Sequence, residues 1–369
     1  MSADRMPVLW IWGAPGVGKT TVGWEIWTEL SATGITAAYV DIDQLGMSLP
    51  ASPADPERYG LKVDNLAAAM PHYRGAGAQL LVVSGACDVQ HVQKFANGAG
   101  VTLCRLQLDH EQLRARLADR GWGRDIVDAA INEALDLDAS TIADISVDTT
   151  GLSVAEVVGT LREQVGGWPR TETPAVTPPR VLDTPGDIVW VCGPTGVGKS
   201  TVGWELFMRV RRDCRRVALI DLQQIGFLEP ADVGDLHNHR LKARNLAAMW
   251  ATMRADGAEC LVVVGRVNDR DQLRAYTDAL PAATLTLVQL RASRDELAER
   301  IVRRGRGEGP RIPGDYLFGR DTAELARIAE GAATDAARLA RTGIADVVVD
   351  TDGLTVDEVI RAIRRHIGN

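Results

Sequence analysis

Two glycine-rich stretches carry the residue types from which a phosphate-binding loop is built. Residues 13–21 read GAPGVGKTT and residues 193–201 read GPTGVGKST. In the spacing G-x-x-x-x-G-K-[ST], glycines let successive backbone N–H groups turn towards phosphate oxygens, and the lysine neutralises the β- and γ-phosphates. The hydroxyl that follows the lysine, from Thr20 or Ser200, is placed to bind Mg²⁺. The spacing therefore predicts two nucleoside triphosphate sites, with ATP and Mg²⁺ as cofactors.

The predicted nucleotide contacts occupy the same positions in both loops. They are Gly13, Gly16, Val17, Gly18, Lys19, Thr20 and Thr21 in the first loop, and Gly193, Gly196, Val197, Gly198, Lys199, Ser200 and Thr201 in the second. The two lysines are also candidate catalytic residues, because they face the phosphate that is transferred. A glycine-rich turn without a ligand is the alternative. Both loops lie between a strand-like and a helix-like run, which favours nucleotide binding.

Carboxylates follow the second predicted strand of each half. The first half reads YVDIDQLG, with Asp41 and Asp43, whereas the second reads IDLQQIG, with Asp221 and Gln223. A carboxylate at this place can orient an acceptor hydroxyl and take its proton during transfer. The alternative for Asp43, and to a lesser degree for Asp41, is a helix N-cap. Glutamine cannot act as a base, so the two halves should differ in the chemical step.

Cationic residues follow these positions and are candidate contacts for an anionic acceptor. They are Arg58, Lys62 and Asn65 in ERYGLKVDN, and Arg240, Lys242, Arg244 and Asn245 in HNHRLKARN. The alternative is a solvated helix face.

Arginines that close over a γ-phosphate and exclude water are expected on a mobile lid. The second half offers ERIVRRGRGEGPRIPGDYLFGR, from which Arg304, Arg306 and Arg311 are candidate catalytic residues. The first half has only ARLADRGWGRD, which predicts a short lid. A surface loop with solvated arginines is the alternative for both.

The chain repeats itself at an offset of 180 residues. Matches beyond the loops include Trp24 with Trp204 and Lys62 with Lys242. In each half, apolar strand-like runs alternate with helical stretches, which predicts an α/β fold with a parallel sheet of about five strands and helices on both faces. We therefore predict domain 1 at residues 1–165, a proline-rich linker at 166–187 and domain 2 at 188–369, with the two domains packed on each other.

Composition limits the class of protein. Apolar residues make up 46% and charged residues 24%, and the net charge is -8. These values are typical of a globular protein and argue against nucleic-acid or anionic-membrane partners, which call for a basic surface. The five cysteines lack CxxC spacing, so we expect reduced thiols, no metal site of their own and a cytoplasmic location.

The loops, the run YVDIDQLG and the late runs VDTTGLSVAEVV (147–158) and VDTDGLTVDEVI (349–360) resemble the shikimate, gluconate and adenylylsulfate kinase group. The tandem form is similar to ATP-binding proteins of actinobacteria. The resemblance covers nearly all of both halves and implies a P-loop kinase fold and phosphoryl transfer. It assigns Mg²⁺ and the acceptor hydroxyl to Asp41 and Asp43, so that Thr20, Asp41, Ser200 and Asp221 are the candidate metal ligands and Asp221 is also a candidate catalytic residue.

These expectations combine into a function. The favoured one is Mg²⁺-dependent transfer of the γ-phosphate of ATP to a hydroxyl of a small anionic or polyhydroxylated metabolite. One alternative is an ATP-binding regulatory protein in which one or both domains are inactive. Another is a nucleotide kinase, for which the segment from Arg240 to Arg244 would supply a monophosphate pocket.

Overall fold

The computed structural model describes residues 6–96, 100–168, 170, 183–212, 216–308 and 315–367 of the 369-residue chain. Two compact units are present, and each takes most of its residues from one half of the chain. The first unit comprises Met1–Gly46, Tyr59–Pro179 and Phe227–Asn238, and the second comprises Met47–Arg58, Arg180–Gly226 and His239–Asn369. A short segment of each half is therefore part of the other half's unit, which the predicted limits 1–165 and 188–369 do not anticipate. Most of the predicted linker lies outside the described residues.

The two halves run through the same succession of strands and α-helices, and the first half has an additional 3₁₀ helix. The first half contains β1 (Val8–Trp12), α1 (Lys19–Ala32), β2 (Ala37–Asp41), a 3₁₀ helix (Ile42–Gly46), β3 (Ser48–Leu49), α2 (Tyr59–Gly75), β4 (Leu80–Ser84), α3 (Val89–Ala96), β5 (Val101–Gln107), α4 (His110–Asp119), α5 (Arg124–Asp138), β6 (Ile145–Asp148) and α6 (Val154–Gln164). The second half contains β7 (Gly186–Cys192), α7 (Lys199–Arg212), β8 (Val217–Asp221), β9 (Phe227–Glu229), α8 (His239–Ala255), β10 (Cys260–Val264), α9 (Arg270–Ala279), β11 (Ala283–Arg291), α10 (Arg294–Gly305), α11 (Thr322–Thr342), β12 (Val347–Asp350) and α12 (Val356–Ile367).

Each unit is built on one six-stranded sheet, and the α/β fold class is confirmed. The strand order is β6-β5-β1-β4-β2-β9 in the first unit and β12-β11-β7-β10-β8-β3 in the second. All neighbours are parallel except the last strand of each sheet, which is antiparallel. Every residue of β1, β2, β4 and β10 is buried, so both faces of the sheet centres are covered. Each sheet differs from the expected parallel sheet of about five strands by one additional, antiparallel strand.

The added strand comes from the exchanged segment in both units. In the first unit β9 pairs with β2, with Tyr39 opposite Phe227. The Phe227 ring lies 5.0 Å from that of Trp24 and 5.8 Å from that of Trp27, measured between centroids. In the second unit Ser48 of β3 stands opposite Ala218 of β8. The edge of the first sheet is thus closed by an aromatic cluster.

Parallel strands bring the candidate site residues to one edge of each sheet. The glycine-rich loop of the first unit follows β1, the acidic pair follows β2, and Gly85 follows β4. Because these three strands are parallel neighbours, their carboxyl ends lie side by side. The corresponding strands of the second unit, β7, β8 and β10, place its loop and Asp221 in the same way.

The connection that was expected to form a lid differs between the units. In the first unit α4 ends at Asp119 and α5 begins at Arg124. In the second, α10 ends at Gly305 and α11 begins at Thr322. Residues 309–314, which include the predicted lid residue Arg311, lie outside the described part of the chain.

The described residues also show the state of four cysteines and the character of the helices. Cys87, Cys104, Cys192 and Cys260 are buried free thiols, and Cys214 lies outside the described residues. Within the described ranges, the helices lack the length and apolar character needed to cross a bilayer.

The aromatic cluster at the sheet edge gives a stability prediction. Phe227→Ala removes a ring that is 9% exposed, and the resulting cavity should lower the free energy of unfolding by about 3 kcal/mol. Denaturant titration followed by tryptophan fluorescence measures this change, since Trp24 and Trp27 lie against the ring. Val233→Ala, at an 89% exposed position of the same segment, is the control and should change stability by less than about 0.5 kcal/mol. Equal effects of the two variants would contradict the packing.

Candidate functional site

The two glycine-rich loops have the same backbone conformation. Gly13, Gly16 and Gly18 have φ angles of 142°, 89° and 103°, and their counterparts in the second loop have 143°, 82° and 98°. Side chains rarely adopt these angles, and a Cβ atom on Gly13 would also lie 2.5 Å from the carbonyl oxygen of Leu106. The glycines therefore permit a tight turn that ends at the N-terminus of α1 or α7.

The lysine of each loop is bound to the loop itself. Lys19 Nζ donates to the carbonyl oxygen of Ala14 and Lys199 Nζ to that of Pro194, each at 2.8 Å. Burial lowers the pKa of Lys19 and lowers the pKa of Lys199 to about 8. A desolvated ammonium group interacts strongly with anions, so both loops have a cationic centre suited to phosphate.

In the first unit the two predicted metal ligands are in contact. Thr20 Oγ1 donates to Asp41 Oδ2 at 3.1 Å, and the backbone N–H of Asp43 donates to Asp41 Oδ1 at 3.0 Å. Burial, with a smaller effect of the Asp43 charge, raises the pKa of Asp41 to about 6. A hydroxyl and a carboxylate oxygen fit Mg²⁺, which usually keeps waters and phosphate oxygens beside one or two protein ligands. Within the described residues, no group of three or more His, Cys, Asp or Glu side chains is arranged to hold a metal ion.

Asp43 is held by a lysine from the next helix. Lys62 Nζ of α2 donates to Asp43 Oδ1 at 2.8 Å. The lysine reaches it by crossing Gly46, where a Cβ atom would lie 2.7 Å from Lys62 Cγ. A Cβ atom on Gly85 would lie 3.2 Å from Asp43 Oδ2, so this strand end also packs against the carboxylate. The capping bond considered for Asp43 is made by Asp41, and the Asp43 side chain binds Lys62 instead.

The other predicted acceptor residues have varied surroundings. Asn65 is fully buried and donates to the carbonyl oxygen of Leu45 at 2.7 Å; Asn245 makes the same bond to Ile225. Both asparagines thus anchor a helix to the preceding turn. Arg58 belongs to the segment Met47–Arg58 of the second unit and has a left-handed φ of 60°, so it is not grouped with Lys62. In the second unit Arg240 is exposed, whereas Lys242 and Arg244 are half-buried.

The second unit keeps only part of this arrangement. Asp221 Oδ1 accepts the backbone N–H of Gln223 at 2.9 Å, and burial raises the pKa of Asp221. No hydrogen bond joins Ser200 to Asp221 among the residues that the structure describes, although Ser200 corresponds to Thr20. A Cβ atom on Gly226 would collide with the stem of Lys242, which therefore follows the course of Lys62.

Two arginines lie near the loop lysine of the second unit. Arg266 binds Asp335 of α11, and Arg304 Nε donates to Asp315 Oδ2 at 3.0 Å. Both add to the lowering of the Lys199 pKa, after burial. Arg304 is one of the arginines predicted from the sequence, whereas Arg266 is not. The only signal for Arg266 is that the residue after a shared glycine is Ala86 in the first half and arginine in the second. Arg306 is exposed at the end of α10.

The second unit also contains a cavity beside its loop. Tyr316 Oη hydrogen-bonds Thr195 Oγ1 of the loop at 2.8 Å, and Arg300 Nη1 donates to the carbonyl oxygen of Val197 at 3.1 Å. The cavity has a volume of about 340 Å³. Pro194 and the ends of β11 and β12 line it, through Gln289, Arg291, Ser293, Asp350 and Asp352 among others. Its polar rim and apolar wall from α11 are suited to a flat heterocycle.

The raised pKa of Asp41 gives a pH prediction. In the unfolded chain this carboxyl ionises near its ordinary value of 3.8, and in the folded protein at about 6. Its contribution to stability is full below the lower value and is lost as the pH rises through the higher one. Asp41→Asn should therefore stabilise the Mg²⁺-free protein at pH 8 by on the order of 2 kcal/mol, with no gain near pH 3. The amide still offers an acceptor to the N–H of Asp43 and a donor to Thr20. Thermal unfolding across this pH range measures the effect, with the exposed Asp64→Asn as control; destabilisation by Asp41→Asn at pH 8 would contradict the prediction.

Comparison with known proteins gives structural neighbours only. No protein-family model and no curated protein sequence matches the chain. Solved structures similar to it include a tunicamycin resistance protein of Deinococcus radiodurans, with 19% identity over 50% of this chain and 96% of the other, at a TM-score of 0.33. A gluconokinase of Sinorhizobium meliloti 1021 shares 19% identity over 49% of this chain and 90% of its own, with a TM-score of 0.33. A shikimate kinase of Bacteroides thetaiotaomicron shares 17% sequence identity over 49% of this chain and 97% of its own, with a TM-score of 0.32.

Proposed function

We propose that the first unit transfers the γ-phosphate of ATP to a hydroxyl of a small anionic or polyhydroxylated metabolite. The observation that carries this proposal is the pair of carboxylates beside the glycine-rich loop. Asp41 is bound to Thr20, and Asp43 is bound to Lys62. One carboxylate is thus joined to a hydroxyl in a Mg²⁺-binding position, and the other is oriented by a cation next to it.

Each residue then has a distinct task. Backbone N–H groups of the loop and Lys19 hold the phosphates, and Thr20 and Asp41 would hold Mg²⁺, which neutralises phosphate charge when bound. Asp43 takes the proton of the acceptor hydroxyl as the new oxygen–phosphorus bond forms and the bond to ADP breaks. Lys62 occupies one oxygen of Asp43 and leaves Oδ2 for the acceptor proton.

The second unit is proposed to bind a nucleotide as well. Its loop has the same φ angles as the first loop. The cavity beside Pro194 supports placing the base there, because it opens from the loop between β11, β12 and α11. Gln289, which is 2% exposed, would offer the base a carboxamide.

Gln223 favours a second candidate function for this unit. An amide cannot remove a proton from a hydroxyl, so nucleotide binding there without transfer to a hydroxyl is consistent with a regulatory role. Trace hydrolysis with tight nucleotide binding is the expected property of such a site.

The test of the proposed function is a metabolite-library assay with the full chain, ATP and Mg²⁺, in which mass spectrometry detects a phosphorylated product. We expect a product from at least one hydroxylated acceptor. ATP consumption that yields only inorganic phosphate for every acceptor would contradict the proposal.

The loop lysines predict the number of nucleotide sites. Lys19→Ala and Lys199→Ala each remove the loop cation of one unit, so calorimetric titration with an ATP analogue should show two sites in the natural chain and one in each variant. Lys94→Ala, on the end of α3, is the control and should keep two sites. Two intact sites in both loop variants would show that the loops do not bind phosphate.

The proposed base gives a kinetic prediction. Asp43→Asn should leave nucleotide affinity unchanged and lower kcat by about 10²–10⁴-fold, because it removes the proton acceptor and keeps the loop. Gln223→Asn is the matched change in the second unit and should leave this rate within about twofold. Unfolding curves establish that both variants fold, and unchanged kcat in Asp43→Asn would exclude it as the base.

A further inference from the structure

The charged groups around the loop lysine differ in sign between the two units: mainly acidic groups surround Lys19, and mainly basic groups surround Lys199. The groups near Lys19 are three carboxylates and one further ammonium group: Asp41, Asp43, Glu133 and Lys62. The groups near Lys199 include two guanidinium groups, Arg266 and Arg304, with Asp221 as the one carboxylate among the strongest influences. The candidate acceptor side is therefore acidic in the first unit and basic in the second.

Two positions account for this contrast. Gln223 replaces the acid that Lys62 binds in the first unit, and Arg266 replaces Ala86. The residue before Ala86, Gly85, packs directly against both acids of the first unit, so its successor stands at the edge of the acceptor side. The equivalent glycine before Arg266 packs against Leu222, between Asp221 and Gln223. The differences at positions 223 and 266 therefore both lie where β8 and β10 end.

The guanidinium groups are oriented and keep donors available. Arg266 uses Nη2 to bind Asp335, and its side chain is 37% exposed. Arg304 uses Nε to bind Asp315. An arginine presents five N–H donors in a planar fork, so one carboxylate partner fixes its direction and leaves further donors for an oxyanion. Two such forks near the half-buried Lys199 are suited to a dianion.

We propose that the acceptor side of the second unit binds a phosphate monoester, whose ionised oxygen receives the γ-phosphate in place of a hydroxyl. This inference rests on the proposed nucleotide binding of the second unit. A phosphate oxygen is already deprotonated at neutral pH, so the step needs no base, and Gln223 is compatible with it. The first unit, with Asp43, serves a hydroxyl, whereas the second, with Arg266, serves an anion.

The step balances without an additional reactant. A lone pair of the phosphate monoester oxygen forms the new bond to the γ-phosphorus. The bond from that phosphorus to the β,γ-bridging oxygen breaks, and its electron pair leaves with ADP. The product contains a P–O–P linkage, and no proton has to be removed from the acceptor. Arg266 neutralises the acceptor charge that would otherwise repel the γ-phosphate.

Calorimetry of the full chain tests the inference with inorganic phosphate as the probe. Saturating Mg²⁺ and the ATP analogue with an imido link between its β- and γ-phosphates first fill the nucleotide sites. One phosphate per chain should then bind, and acetate, the carboxylate counterpart, at least tenfold more weakly. Absence of phosphate binding, or acetate binding of equal affinity, would overturn the inference.

Variants locate the site. Arg266→Ala should weaken phosphate binding at least tenfold. The matched control is Arg294→Ala, which also removes one positive charge and breaks an ion pair with α11, to Glu330, at an exposed position. It should leave phosphate affinity within about twofold. Equal phosphate affinities of Arg266→Ala and the natural chain would overturn the assignment.

A second variant covers the case in which Arg266→Ala does not fold. Gln223→Asp keeps Arg266 and restores the carboxylate of the first unit, and it should also weaken phosphate binding at least tenfold by repulsion. Titration with the analogue alone separates the two proposals: loss of the second analogue site refutes the proposed function, whereas two analogue sites without a phosphate site refute this inference only.

Discussion

The lysine ammonium group at the start of α1 and α7, buried in the first unit and half-buried in the second, is the constraint around which each unit is arranged. Removing a charge from water is costly unless other groups compensate it. Lys19 and Lys199 each have a carbonyl partner in their own loop. Carboxylates at the ends of β2 and β8, which lie two strands away from β1 and β7 in their sheets, supply the opposite charge. Asp41 and Asp221 occupy these strand ends in the two units, where Asp41 is buried and Asp221 is half-buried. Each lysine offsets part of the cost of burying its aspartate, and burial still raises the pKa of both carboxyl groups. The parallel sheet is what brings these two positions together.

Glycines make this close approach of charges feasible. Gly46 and Gly226 let the stems of Lys62 and Lys242 cross the turn, where a Cβ atom would collide with them. The loop glycines, with φ angles that other residues rarely adopt, bring the helix N-terminus to the same edge. Each of these glycines is shared by the two halves, which indicates that the repeated unit depends on the same contacts in both copies.

Much of this arrangement could be predicted from the sequence because it depends on local spacing. The glycine-rich loops, the strand ends with Asp41 and Asp221 and the alternation of strands and helices follow from short patterns. The bond between Lys62 and Asp43 could not be predicted, since it depends on the course of α2 over Gly46. Asn65 shows the same limit: the sequence predicts it as an acceptor contact, and its full burial with a bond to the carbonyl oxygen of Leu45 depends on the same packing of α2 on the turn.

The exchanged strands were missed for a different reason. β3 and β9 have two and three residues, which is too short for a periodic pattern, and their partners lie far away along the chain. Each exchanged segment runs between the turn that follows β2 or β8 and the helix that carries Lys62 or Lys242. In the first half, the exchanged strand therefore lies between Asp43 and Lys62 in the sequence. In the second half, it lies between Gln223 and Lys242. A split of the chain between its halves would therefore separate the edge strand of each sheet from the rest of that sheet.

The differences in charge between the two units involve a corresponding helix in each unit, α5 in the first and α11 in the second. Glu133 of α5 and Asp335 of α11 stand equally far before Asp148 and Asp350, the ends of the last strands. Glu133 acts on the charge of the loop lysine in the first unit, whereas Asp335 is bound by Arg266 in the second. Loss of the acid at position 223 leaves the second unit with fewer negative groups around its cations. Arg266 adds a further positive charge there. Asp335 of α11 balances part of that charge, because Arg266 binds it. The repeated scaffold thus accommodates opposite local charges in its two halves, because a carboxylate on the corresponding helix is the partner of Arg266 in the second unit.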